Sequence, residues 1–178
     1  MMSEEDQEKK KRRAYVEIRE MEIDDIPSVF HLGERLFTSS EVPNLYRTWD
    51  EFEVTGMFQE DPSLCLVAEY EDKIVGFALG TTITKSHSAW KYGHLAWLGV
   101  DPDCQRSGVA TRLFKAFRER VMEEGVRIVL VDTEADNERA IRFFEDLGFR
   151  NPEEHIYLSL NLDQHLKLMK EKNGKNNG

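Results

Sequence analysis

The stretch from Tyr92 to Phe114 constrains this chain more than any other. It begins as an apolar run, Leu95 to Val100, and breaks at Asp101-Pro102. It then crosses Gln105-Arg106-Ser107-Gly108-Val109-Ala110 and enters an amphipathic segment. A strand, a tight loop of small residues and a helix N-terminus together make a device for holding phosphate. The first helical turn carries N–H groups without intrahelical partners, and the helix dipole adds partial positive charge there. Gly108 and Ala110 leave room for a phosphate to approach the backbone. The same spacing also serves a plain strand-to-helix turn with Ser107 as its N-cap.

The segments on either side alternate between strand and helix patterns. Ala14 to Arg19 reads as a short strand. Asp24 or Asp25 caps a helix with Pro27 in its first turn and Val29, Phe30, Leu32, Leu36 and Phe37 as apolar positions. Asn44 to Glu60 reads as a second helix, weakened at Gly56. Leu64 to Tyr70 and Ile74 to Thr84 read as strands joined by a hairpin turn at Glu71-Asp72-Lys73. Beyond the loop, Ala110, Leu113, Phe114, Phe117 and Val121 line one helix face, and Gly125 ends that helix. Arg127 to Thr133 reads as a β-branched strand. Asp136 or Asn137 caps a helix that runs to Leu147 and stops at Gly148. A last strand is expected from Glu154 to Leu162. The order is β-α-α-β-β-β-α-β-α-β-β, which favours a mixed α/β sheet. Residues 1–13 read as a charged, disordered tail, residues 14–162 as one domain, and residues 163–178 as a C-terminal tail with a short helix at its start.

Two motifs in this order resemble a known family. Gln105-x-x-Gly108-x-Ala110 resembles the Q/R-x-x-G-x-G/A pyrophosphate loop of the GNAT acetyltransferases. Asn137-Glu138-Arg139-Ala140-Ile141-Arg142-Phe143-Phe144-Glu145-Asp146-Leu147-Gly148-Phe149 is similar to the family's N-x-x-A-x-x-F-Y-x-x-x-G-F segment. The resemblance runs from about Tyr15 to Leu162 and implies the GNAT fold, with acetyl-CoA lying where two central strands splay apart. It implies that backbone groups of Leu98, Gly99 and Val100 meet the pantetheine arm. It implies that the loop Gln105, Arg106, Ser107, Gly108, Val109, Ala110 and Thr111 holds the pyrophosphate. Asn137 would contact the arm from the other side, while also serving as a helix cap. Phe144 stands where the family usually has a tyrosine that helps the thiolate leave, so it is expected to pack on the cofactor instead.

Acetyl transfer to an amine needs a neutral amine, a stabilised oxyanion and a departing thiolate. The resemblance assigns the oxyanion to a backbone amide near Leu98 to Val100, a case of preorganised electrostatics. Asp132 stands five residues before Asn137, an offset at which RimI-type N-terminal acetyltransferases carry a general base. His94 occupies the strand position that carries a catalytic tyrosine in some relatives, and a period of two places it on the same face as Leu98 and Val100. Histidine serves as a base near neutral pH. Each also has a structural reading, as a strand-end acid and a strand histidine. Glu134 is a weaker third candidate. The resemblance also nominates Glu41, Tyr46 and Tyr157 for the acceptor wall, which this family often builds from the loop between the first two helices and from the last strands.

Amine class enters through the cost of deprotonation. An α-amine with a pKa of about 7.8 is roughly 14% neutral at pH 7, and a lysine near 10.4 about 0.04%; these cost about 1 and about 4.6 kcal/mol. A modest base therefore favours an α-amine. The expectation is an acetyl-CoA-dependent, broadly RimI-like N-acetyltransferase acting on a protein or peptide amine. A small-molecule amine acetyltransferase and a non-catalytic acyl-CoA-binding module are the rivals, and Phe144 speaks for the last. The net charge of -10 argues against nucleic acid as a partner and suits a cationic amine. No membrane partner is expected, because no stretch is apolar enough to span a bilayer and the N-terminus is charged. The expected location is cytoplasmic, and exposed strand edges leave a homodimer open. The two cysteines, Cys65 and Cys104, form no disulfide framework and no zinc spacing. Cys65 is expected in the core and Cys104 at an exposed position beside the loop.

Overall fold

The computed structural model describes residues 15–37, 49–84, 90–154 and 156. It divides into two compact units, Met1–Asp132 and Thr133–Gly178. The first holds a five-stranded sheet in sequence order, β1 (Glu17–Glu20), β2 (Cys65–Tyr70), β3 (Lys73–Thr84), β4 (Lys91–Val100) and β5 (Ile128–Leu130). Neighbours are antiparallel up to β4, and β5 joins β4 in parallel. The β2–β3 turn is made by Glu71 and Asp72 at φ 50 and 57, the left-handed pair that a tight hairpin requires.

Helices cover both faces of this sheet. On one face lie α1 (Ile26–Leu36) and α2 (Glu51–Glu60), which bury Val29, Leu32 and Val54 against Cys65, Val67, Phe77, Leu79 and Trp97. Burying a large aliphatic side chain contributes roughly 1.5–3 kcal/mol, so this cluster is a principal source of stability. On the other face, α3 (Val109–Glu123) buries Leu113, Phe114, Phe117 and Val121. Three glycines let α3 approach. A Cβ on Gly80 would stand 2.3 Å from the Phe117 ring, and one on Gly76 or Gly93 would meet Leu113 or Val121 at 3.2 Å.

A β-bulge lies in β4. Leu79 pairs with Trp97, but Gly80 pairs with Leu95, so Ala96 is the extra residue. One extra residue reverses which way the following side chains point. Trp97 and Gly99 share the α1/α2 face with Phe77 and Leu36. Before the bulge that face belongs to His94, which pairs with Thr81, and to Tyr92, which pairs with Ile83. The period-two expectation that His94 shares a face with Leu98 and Val100 is therefore corrected. Leu98 pairs with Ala78 and Val100 with Gly76, on the α3 side.

Several boundaries differ from the sequence reading. The second helix begins at Glu51, not Asn44, among the described residues; Asp50 caps it through bonds from the amides of Phe52 and Glu53, and Trp49 lies outside it. The Trp49 indole donates to the Phe30 carbonyl and packs where any side chain on Gly33 would collide, 2.0 Å away. β5 spans only Ile128–Leu130, because its ladder with β4 ends there. Asp25 sits at the start of α1 but makes no side-chain cap bond. Its carboxylate instead takes both terminal nitrogens of Arg19, at 2.6 and 2.9 Å, and the amide of Glu22.

The second unit contains α4 (Glu138–Asp146), capped by Asn137 and followed by Gly148 at φ 102. Phe144 stacks edge-on with Phe143 and Phe149 within it. Residues 150–154 and Ile156 are irregular; the rest of the expected last strand and the terminal helix lie outside the described residues.

Candidate active site

The ladder between β4 and β5 runs Tyr92↔Ile128, Gly93↔Val129, His94↔Leu130 and ends. Among the described residues no strand pairs with β4 on that side from Leu95 to Val100. On its other side it stays paired with β3. Among the described residues, alternate backbone groups of Leu95–Val100 therefore face the opening beyond the end of the ladder, a wedge, rather than a neighbouring strand. Such an edge accepts an extended ligand bearing amides as it would accept a strand. Leu98, Gly99 and Val100 lie on this stretch of β4.

At the wide end of the wedge the chain makes the loop into α3. Asp101 opens it, its carboxylate accepting from the Asp103 amide and from Arg35 on α1 at 3.1 Å. The Gln105 side chain donates to the Val100 carbonyl at 3.2 Å, tying the loop back to β4. Ser107 is buried and donates to the Cys104 carbonyl. It is not the helix cap: that position is Gly108, at φ 84, with no side-chain cap bond. Arg106 is also left-handed, at φ 59. Left-handed residues in such a turn direct successive N–H groups toward one side, a shape suited to anions. The amides of Val109, Ala110 and Thr111 follow in the first turn of α3 and have no intrahelical acceptor. Cys104, expected to be exposed, is buried at 4% exposure at the end of a 3-10 turn, and its carbonyl accepts from Ser107.

At the narrow end, where the strands separate, His94 Nε2 lies 2.9 Å from Asp132 Oδ1. The two were nominated independently, and the parallel pairing of β4 with β5 brings them together. Their side chains remain 30% and 42% exposed, so both are reachable from solvent. The ring tautomer that donates to this carboxylate is the one that carries its proton on Nε2. Glu134 lies in the second unit, where its carbonyl accepts from the Asn137 amide. Asn137 acts as the helix cap, accepting from the Ala140 amide at 3.1 Å and donating to Thr133 at 3.2 Å. Glu41, Tyr46 and Tyr157 lie outside the described residues.

The sequence reading missed two residues on the α1/α2 face near the bulge. Trp97 packs on Phe37 and Trp49, and its indole donates to Glu53 of α2 at 3.2 Å. Only the bulge reveals that Trp97 shares a face with His94, and no local pattern marks a bulge at Ala96.

The chain thus carries a β4 edge beyond the end of the β4–β5 ladder, a left-handed turn into α3 and a His–Asp pair where the ladder ends. The match to the family model "Acetyltransferase (GNAT) family" spans residues 26–149. The chain belongs to the GNAT acetyltransferase family and is an N-acetyltransferase. It is 29% identical over 136 residues to an acetyltransferase of Pectobacterium atrosepticum, covering 75% of this chain and 87% of that one. Its fold resembles an aminoglycoside acetyltransferase from an uncultured soil metagenomic sample, solved with trehalose, at TM-score 0.67 and 21% identity over 83% of this chain and 98% of that one. It also resembles a chain of the NatC complex bound to Gag peptide and CoA, at TM-score 0.68 and 14% identity over 78% and 87%.

Proposed function

We propose that this chain transfers an acetyl group from acetyl-CoA to the primary amine of a protein or peptide, with His94 as the proton acceptor. The observation that carries this reading is the His94–Asp132 pair at the point where β4 and β5 part. Acetyl-CoA supplies an activated thioester. The residues present fit it: the backbone edge of Leu98–Val100, past the end of the ladder with β5, suits an amide-bearing arm, and the Arg106–Thr111 amides suit a pyrophosphate.

Asp132 holds the imidazole with Nε2 protonated and steadies the charge that the ring gains. His94 Nδ1 takes the proton released by the amine as the new C–N bond forms and the C–S bond breaks. A backbone amide of the β4 edge donates to the oxygen that becomes negative on the way. The pair favours an α-amine, whose deprotonation costs about 1 kcal/mol at pH 7 against about 4.6 for lysine.

Thiol release in the presence of N-terminal peptides, lysine peptides and polyamines tests this reading. His94→Ala should lower kcat by about 10²-fold or more, the usual contribution of a positioned base. Asp132→Asn should also lower kcat, leave acetyl-CoA affinity unchanged by titration calorimetry, and be partly rescued by Asp132→Glu. Acetyl-CoA binding without thiol release on any amine would instead support the acyl-CoA-binding module.

A further inference from the structure

The bulge at Ala96 puts His94 on the face that carries Trp97, and the side chains of His94 and Asp132 stay 30% and 42% exposed there. Two rows of side chains cross three strands there. One row is Thr81, His94 and Leu130; the other is Ile83, Tyr92 and Ile128. Paired residues in register point to the same face, so all six share the face of Trp97. Ile83 is 38% exposed, Ile128 38% and Leu130 44%. On the same β5 strand Val129 is less exposed and, by alternation, faces α3. An apolar run such as Ile128–Leu130 is ordinary for a parallel strand, but Ile128 and Leu130 keep 38% and 44% exposure beside His94.

This patch is continuous with the pair. Leu130 is the direct neighbour of His94 in the ladder, and Asp132 lies two residues further along the same chain. Strands are about 4.8 Å apart and alternate residues about 6.8 Å, so the apolar rows extend roughly 10 Å across and 7 Å along. An extended peptide spans that length with two residues. A cationic amine is drawn to Asp132, and what is attached to it rests on isoleucine, leucine and the Tyr92 ring. A polyhydroxylated amine would leave its hydroxyls against aliphatic groups that cannot bond them, a costly desolvation.

We infer that the face formed by Ile83, Tyr92, Ile128 and Leu130 is the acceptor platform, and that the acceptor is a peptide whose free amine is followed closely by apolar side chains. This inference rests on the reading of His94 and Asp132 as the site of proton transfer. It names the acceptor by chemistry: positive at one end, aliphatic or aromatic next to it.

The experiment compares two peptides of equal length. One begins with alanine, leucine and phenylalanine, the other with alanine, aspartate and glutamine; a polyhydroxylated polyamine is the third acceptor. Wild-type protein should favour the apolar peptide at least tenfold in kcat/KM. Leu130→Glu and Ile128→Glu should each remove most of that preference, with the loss in KM, and leave acetyl-CoA affinity unchanged. Direct titration of the peptides in the presence of CoA reads the platform without turnover. Selective peptide binding without thiol release keeps the platform and sinks the catalytic reading. Turnover without preference for the apolar peptide sinks the platform alone. A dimer that becomes a monomer in Leu130→Glu overturns the inference in favour of a self-association face. A lowered unfolding midpoint in both glutamate variants overturns it in favour of internal packing.

Discussion

Gly108 holds φ 84 at the junction of loop and helix, and its neighbour but one, Arg106, holds φ 59. A Cβ in that left-handed region costs roughly 1–2 kcal/mol. Gly108→Ala should therefore lower stability by about 1 kcal/mol and weaken acetyl-CoA binding, because the amides that follow shift with it. Thermal unfolding and calorimetric titration read the two effects separately, and full retention of cofactor affinity would remove Gly108 from the phosphate site. Asp25 belongs to the same scale. The hydrogen bond from Arg19 holds its carboxyl below the usual carboxylate range, against the opposing effect of burial. The native state thus binds this proton less readily than the unfolded chain. Its stabilising contribution is complete above the ordinary carboxylate range and is lost as pH falls through the depressed folded value. Asp25→Asn should destabilise the protein at pH 7 and flatten the acid side of its stability profile, measured by urea unfolding between neutral and acid pH.

At the scale of elements, packing on α3 requires Gly80. A Cβ there would stand 2.3 Å from Phe117 and 2.7 Å from the His94 carbonyl. Gly80→Ala should cost about 1–3 kcal/mol by overpacking. Because Gly80 pairs with Leu95 beside the bulge, it should also lower turnover more than stability alone explains. Activity measured well below the unfolding midpoint checks this. Elements with local punctuation were legible in the sequence: Pro27 opens α1, Gly125 follows α3, Gly148 follows α4, and Glu71-Asp72 turns the hairpin. The bulge was not legible, because it is a property of how β4 pairs with β3. A strict alternation through Tyr92 to Val100 gave His94 the wrong face for that reason. The turn into α3 was legible as a local strand–loop–helix pattern, although Ser107 was misplaced as the cap. His94 and Asp132 were each nominated, but their meeting depends on a parallel ladder joining residues 38 apart.

At the scale of the whole molecule, the two cysteines report how the fold opens. Cys65 is fully buried on the α1/α2 side, and burial pushes its thiol up to about 12. Cys104 is also buried, but in the turn into α3, where its carbonyl accepts from Ser107. Thiol reagents act on thiolates, so neither residue should react at pH 8 in the closed native state, and both should react in denaturant. Their rates should differ. Cys65 sits against α1, α2 and β3 in the main cluster, so its exposure requires the core to separate. Cys104 needs only the loop to lift, an opening that falls at the low-stability end expected of ligand-binding segments. Labelling should therefore reach Cys104 first. Acetyl-CoA at about 100 times its Kd contributes about 2.7 kcal/mol to any state that holds it and nothing to a state with the loop lifted. It should slow Cys104 by about 10²-fold. Peptide-resolved mass spectrometry of the labelled protein separates the two thiols. Equal rates at both would mean that the loop opens only with the core; a Cys104 rate indifferent to acetyl-CoA would place the pyrophosphate elsewhere.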